Sequence, residues 1–115
     1  MFPQENRLRK ERDHKLVFKK GQRYVSPYFV LLVLRRTEDM ESPTRFSVIV
    51  SKKVNKLAVI RNRIRRVLRE SIKSSLNDIK PGFDCIVIAR NPVIGKEITE
   101  MSLIFRETFE KAGLV

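Results

Sequence analysis

This chain has few of the residues on which many small proteins build chemistry or covalent reinforcement. In 115 residues it has one cysteine, Cys85, one histidine, His14, and no tryptophan. A single thiol excludes an internal disulfide and a multi-cysteine zinc site, and a single imidazole excludes a histidine metal cluster or a two-histidine catalytic pair. Such cysteine usage suits a reducing cytosol and implies no disulfide-linked partner. The four glycines are scattered, so no glycine-rich phosphate loop can be drawn. The longest apolar run, Tyr28–Leu34, is far too short to span a bilayer, and the opening MFPQENRLRK has no apolar signal core. The expectation is a protein that neither crosses a membrane nor is exported by that route. Acidic residues are scarce as well: 13 Asp and Glu stand against 25 Lys and Arg, a formal net charge of +12.

What is present is a core and a concentrated positive charge. Apolar residues make up 42 % of the chain, enough for one packed domain over residues 1–115 and too many for a disordered basic tail. The charge is uneven. Residues 1–73 carry 20 basic and 7 acidic side chains, whereas residues 74–115 carry 5 and 6. Between Ser51 and Lys73 the only acid is Glu70, against Lys52, Lys53, Lys56, Arg61, Arg63, Arg65, Arg66, Arg69 and Lys73. Such a density repels itself in a compact fold and is best stabilised by a polyanion. Nucleic acid is the first candidate, and an anionic membrane surface is the alternative.

Periodicity outlines an α+β domain. Glu5–Lys20 reads as a weak amphipathic helix ended by Gly21, and Tyr28–Arg35 as a strand after Ser26-Pro27. Thr37–Thr44, polar and acidic, reads as a hairpin loop leading to a strand over Arg45–Ser51 with Phe46, Val48 and Val50 on one face. Lys56–Leu76 is the clearest helix, because Ile60, Ile64, Val67, Leu68, Ile72 and Leu76 recur at helical spacing. Its cationic side chains fill a continuous arc beside that stripe. Pro81-Gly82 precedes a buried strand over Asp84–Arg90, and Glu97–Ala112 forms a last helix stopped by Gly113. The order is helix, two or three strands, basic helix, strand, helix, with a βαβ unit around the basic helix.

A solvated basic helix is common, but three features point to a ligand. From Arg61 to Lys73 arginine far outnumbers lysine, and its planar fork matches phosphate. Arg61 and Arg63 lie where cations oppose the helix dipole, a local cost that an arriving phosphate relieves. Almost no acid sits four residues away to compensate this face.

The stretch Ser51–Glu70, SKKVNKLAVIRNRIRRVLRE, resembles the signature of the bacterial ribonuclease P protein component, with Arg61-Asn62-Arg63 at its centre and Arg66 and Arg69 beyond. The similarity runs along nearly the whole chain, through Asn6-Arg7-Leu8, Val17-Phe18-Lys19-Lys20-Gly21, the strand ending in Ser51-Lys52-Lys53, and the Asp84–Arg90 strand. It implies a four-stranded, mostly antiparallel sheet in the order αβββαβα, with a left-handed crossover around the basic helix. It also implies a protein that does not itself cut. A catalytic RNA removes the 5′ leader of precursor tRNA, while the protein binds that RNA and the single-stranded leader and lowers the magnesium required. Magnesium would be held by the RNA subunit and substrate rather than by the protein alone, and the setting would be the bacterial cytoplasm.

Carried over, Arg61, Asn62, Arg63, Arg65, Arg66, Arg69 and Lys73 would form the RNA-binding helix face. The leader cleft would comprise His14, Phe18, Val30, Leu32, Lys52, Lys53 and Lys56, with Phe18 as an aromatic floor for stacking. His14 and Leu32 stand where relatives often have aromatics, so Tyr28 or Phe29 would substitute only if strand alternation turned them to the cleft. The competing reading is a general RNA chaperone or ribosomal-type protein without substrate preference. A self-acting nuclease would need clustered carboxylates or histidines. The acidic group Glu38, Asp39 and Glu41 has no calcium-loop spacing, and Cys85 reads as a small apolar residue.

Overall fold

The computed structural model describes residues 2–115. After a 3-10 turn at Gln4–Asn6 come α1 (Glu11–Lys20), β1 (Gln22–Val25), β2 (Phe29–Arg35) and β3 (Arg45–Ile49). They are followed by α2 (Ala58–Lys73), β4 (Phe83–Ala89) and α3 (Ile98–Ala112). The sheet order is β1-β2-β4-β3, antiparallel except for the parallel β3–β4 pair that brackets α2. The expected α+β class, strand count and order αβββαβα all hold.

Alternation along the strands makes two apolar faces. Phe29, Leu31 and Val33 of β2, Phe46 and Val48 of β3, and Cys85, Val87 and Ala89 of β4 are buried in one cluster with Ile64, Leu68 and Ile72 of α2. Met101, Phe105 and Phe109 of α3 complete it, and the Phe29 and Phe105 rings stack at 4.3 Å and 14°. On the opposite face Leu32 and Ile86 are buried with Leu8 and Val17, beneath α1. Cys85 is fully buried, and desolvation followed by the neighbouring Asp84 charge pushes its thiol far above the ordinary range, so it is chemically inert.

Two expectations about local structure change. The first helix begins at Glu11 rather than Glu5, because residues 7 and 8 extend along β3. Arg7 bridges Phe46, and the Leu8 N–H donates to the Phe46 carbonyl at 2.9 Å. The 37–44 segment is not a hairpin loop, because β4, apolar on both faces, inserts between β2 and β3. The loop is held instead by Arg36, whose Nη2 donates to the carbonyls of Asp39, Ser42 and Pro43.

Gly82 closes that loop, its N–H donating to the Ser42 carbonyl at 3.0 Å with φ at +97°. A Cβ there would lie 2.6 Å from the Met40 carbonyl oxygen. Gly82→Ala is therefore expected to cost about 1–3 kcal/mol from backbone strain and this clash. A urea midpoint shift at unchanged slope would show it, and an unchanged midpoint would mean the loop re-forms freely.

Candidate nucleic-acid interface

The first component is α2. Ile64, Leu68 and Ile72 hold its inner face to the sheet, which turns Asn62, Arg63, Arg66, Arg69 and Lys73 outwards, all exposed. The helix starts at Leu57 with no side-chain cap and no acid in its first turn. Arg61 stands apart from the outward set. Its Nη1 donates to the carbonyls of Asn55 (3.0 Å) and Lys56 (2.8 Å), tying the helix to the turn before it, while the Asn55 side chain accepts the Leu57 N–H at 2.9 Å. Arg65 donates to the Asn62 side chain, which orients both. Arg69 has its pKa lowered, first by desolvation and then by the Arg7 and Arg65 charges beside it. A guanidinium crowded by other guanidiniums is a site where a phosphate gains most.

The second component is the part of the α1-side sheet face that α1 leaves open. Register sets its rows. Leu34, Asp84 and Arg45 form one row, Arg23, Leu32, Ile86 and Ser47 the next, and Val25, Val30, Ile88 and Ile49 the third. α1 crosses the first two: Asp13 pairs with Arg45 at 3.4 Å, and His14 Nε2 meets Ser47 Oγ at 2.8 Å. With Val17 pointing down, about 100° per residue puts Asp13 on one flank and His14 and Phe18 on the other. The second flank faces the third row. There Val25 is exposed, Val30, Ile49 and Ile88 are half-buried, and Phe18 is 52 % exposed rather than packed in the core. Lys52 and Lys53 are exposed in the turn past the end of β3, and Lys56 is exposed before α2.

Phe18 stays exposed on α1, Val30 lies in the third-row groove, and Lys52 and Lys53 are exposed after β3, but not every expected residue shares their exposure. Leu32 is 5 % exposed under α1 and is a support rather than a surface. His14 has both nitrogens engaged: the Lys10 carbonyl can only accept, so Nδ1 carries the proton there, and in the neutral ring Nε2 accepts from Ser47. Neither proposed aromatic substitute reaches the groove. Phe29 is fully buried on Phe105, and the Tyr28 ring lies under Lys96, 5.3 Å from its Nζ. The sequence reading missed Val25, Ile49 and Ile88. Alternation suggested their faces, but only strand order aligns them. It also gave no role to Arg7 and Arg9.

Inorganic sulfate or phosphate at millimolar levels is expected to raise the melting temperature by binding this cationic surface in the native state. A melting point indifferent to either anion would count against a native anion-binding face.

Comparison with known proteins bears on the same elements. The family model "Ribonuclease P" matches residues 2–113. The ribonuclease P protein component of Clostridium acetobutylicum is 34 % identical over 111 residues, covering 96 % of this chain and 92 % of that protein. The Staphylococcus aureus RNase P protein structure superposes with a TM-score of 0.81 at 29 % identity, covering 95 % of this chain and 96 % of the other. The Thermotoga maritima RNase P protein gives 0.74 at 28 %, covering 90 % and 96 %. A +12 chain with this sheet order, an outward arginine helix and a match along nearly its whole length belongs to the ribonuclease P protein family, the protein component of the bacterial ribonucleoprotein that processes tRNA.

Proposed function

We propose that this protein holds the ribonuclease P RNA on the outward face of α2 and the single-stranded 5′ leader of precursor tRNA in the groove beside α1, while the RNA subunit makes the cut. The observation that carries this reading is the pairing of two unlike surfaces. One is an arginine face without helix-capping acid, suited to phosphate; the other is an apolar row beside α1, a helix that leaves its Phe18 ring exposed, suited to unpaired bases. Lys52 and Lys53 would track the leader backbone.

The polypeptide's contribution is positioning and charge screening rather than bond-breaking. The buried carboxylate of Asp84 is taken by Arg36 and Arg45. Magnesium in this reading stays with the RNA subunit and the substrate, and the protein reduces how much is needed by neutralising phosphate repulsion. No helix among the described residues is long and apolar enough to cross a membrane; the bacterial cytoplasm is proposed from the family membership alone.

Cleavage of precursor tRNA by a bacterial ribonuclease P RNA at low magnesium, with and without the protein, tests the reading. Stimulation that grows with leader length and weakens in Phe18→Ala is expected. Stacking is worth about 1–3 kcal/mol per base, so the loss should reach about fivefold or more in substrate affinity. Tight RNA binding with no preference for precursor over mature tRNA would favour a general chaperone instead.

A further inference from the structure

The extended segment after the first 3-10 turn builds a second cationic site. Arg7 lies opposite Phe46, whose ring faces the α2–α3 layer, so Arg7 is on that side of the β3 edge. Leu8 turns the other way, beneath α1, and alternation returns Arg9 to the side of Arg7. Arg69 arrives from α2. These arginines line one open cavity of about 210 Å³ floored by Phe46, Ser47 and Val48. No carboxylate is among its lining residues. The Arg7 Nε donates to the Phe2 carbonyl at 3.0 Å, so the guanidinium is anchored rather than free to swing away.

The fold deals with converging arginines differently elsewhere. Arg36 and Arg45 also meet, and there the chain supplies Asp84 between them at 2.9 and 2.7 Å. At the β3 edge none of the residues lining the cavity is an acid, and the Arg7 and Arg65 charges act on Arg69 there. A bound anion would supply the counter-charge that the cavity lining lacks. A tetrahedral phosphoryl group fits, because it can accept from several forks at once and the cavity has room for it with ordered water.

We propose that Arg7, Arg9 and Arg69 seat a phosphodiester of the ribonuclease P RNA at the β3 edge, extending the α2 face onto the N-terminal segment. This rests on the RNA-binding reading above. It assigns the segment before α1 to RNA contact as well as to packing, and it explains why exposed Arg9 flanks buried Leu8.

The test uses the full chain. Arginine Nε–Hε signals are followed while inorganic phosphate, and separately dimethyl phosphate, is added to the wild type, Arg9→Gln, Arg69→Gln and a control, Arg106→Gln. Arg106 lies on α3, paired with Asp78 at 2.8 Å and far from the seat in the sequence. Arg9 and Arg69 are both exposed, so native amide dispersion should persist in their variants. The Arg7, Arg9 and Arg69 signals should move together with a single affinity, weakened about tenfold in either seat variant and unchanged in the control. Binding of ribonuclease P RNA by each seat variant should lose close to one counterion from its salt dependence.

Unmoved Nε signals would overturn the seat. Phosphate binding with RNA salt dependence unchanged in both variants would overturn the RNA assignment and leave a site for free anions. Wild-type protein that binds no ribonuclease P RNA would instead sink the proposed function, and the phosphate titration would still judge the cavity.

Discussion

Asp84→Asn is expected to destabilise the protein by about 3–5 kcal/mol, the usual cost of removing one partner from a buried ionic cluster. The Asp84 side chain is 6 % exposed and accepts Arg45 Nε at 2.8 Å, Arg45 Nη2 at 2.7 Å and Arg36 Nη1 at 2.9 Å. Asparagine would preserve the shape while leaving two guanidiniums without their shared carboxylate. Arg36 has little slack: its side chain is 9 % exposed and its Nε is buried without a partner. The loss would spread to the groove, because Arg45 also holds Asp13 and so ties α1 to the sheet. Urea unfolding of Asp84→Asn measures the cost directly. Replacing Asp84, Arg36 and Arg45 together by apolar residues should recover much of it, since the penalty lies in stranded charge rather than lost packing. A cost below about 1 kcal/mol in the single variant would place the cluster among surface pairs.

Neutralising Arg66 and Arg69 carries the second large effect. Each alanine variant is expected to weaken RNA-subunit binding by about 1 kcal/mol and to lower the salt slope by roughly 0.7–0.9, with the double variant near the sum. Binding measured across a potassium chloride series provides both numbers. An unchanged slope in both single variants would remove this face from the interface. Arg61→Ala makes a useful contrast. Because its guanidinium holds the Asn55 and Lys56 carbonyls, its loss should appear mainly as reduced stability and a looser entry turn, with a smaller change in slope.

Much of this was open to reading in the residues themselves. The Ile64, Leu68 and Ile72 stripe placed α2 and turned its arginines outwards, because helical spacing fixes which side chains share a face. The Phe46, Val48 and Val50 alternation held, and so did the buried strand around Cys85. Tertiary pairing overrode local pattern elsewhere. Residues 5–10 look like the start of a helix, yet the unpaired edge of β3 offered the backbone of Arg7 and Leu8 a better partner. Thr37–Thr44 looked like a hairpin because its residues suit a turn, and no local signal could announce that β4 would enter between the strands.

The sequence by itself determined that the protein carries a concentrated arginine helix on a small α+β core, and hence that a polyanion is its expected partner. Charge and periodicity are local properties, read without knowing which strands meet. Only the tertiary structure decided that Val25, Val30, Ile88 and Ile49 form one row, that Leu32 lies beneath α1, and that Arg7 and Arg9 join Arg69. Each of these depends on register and strand order, which bring together residues far apart in the chain and are set by the packing of the whole domain.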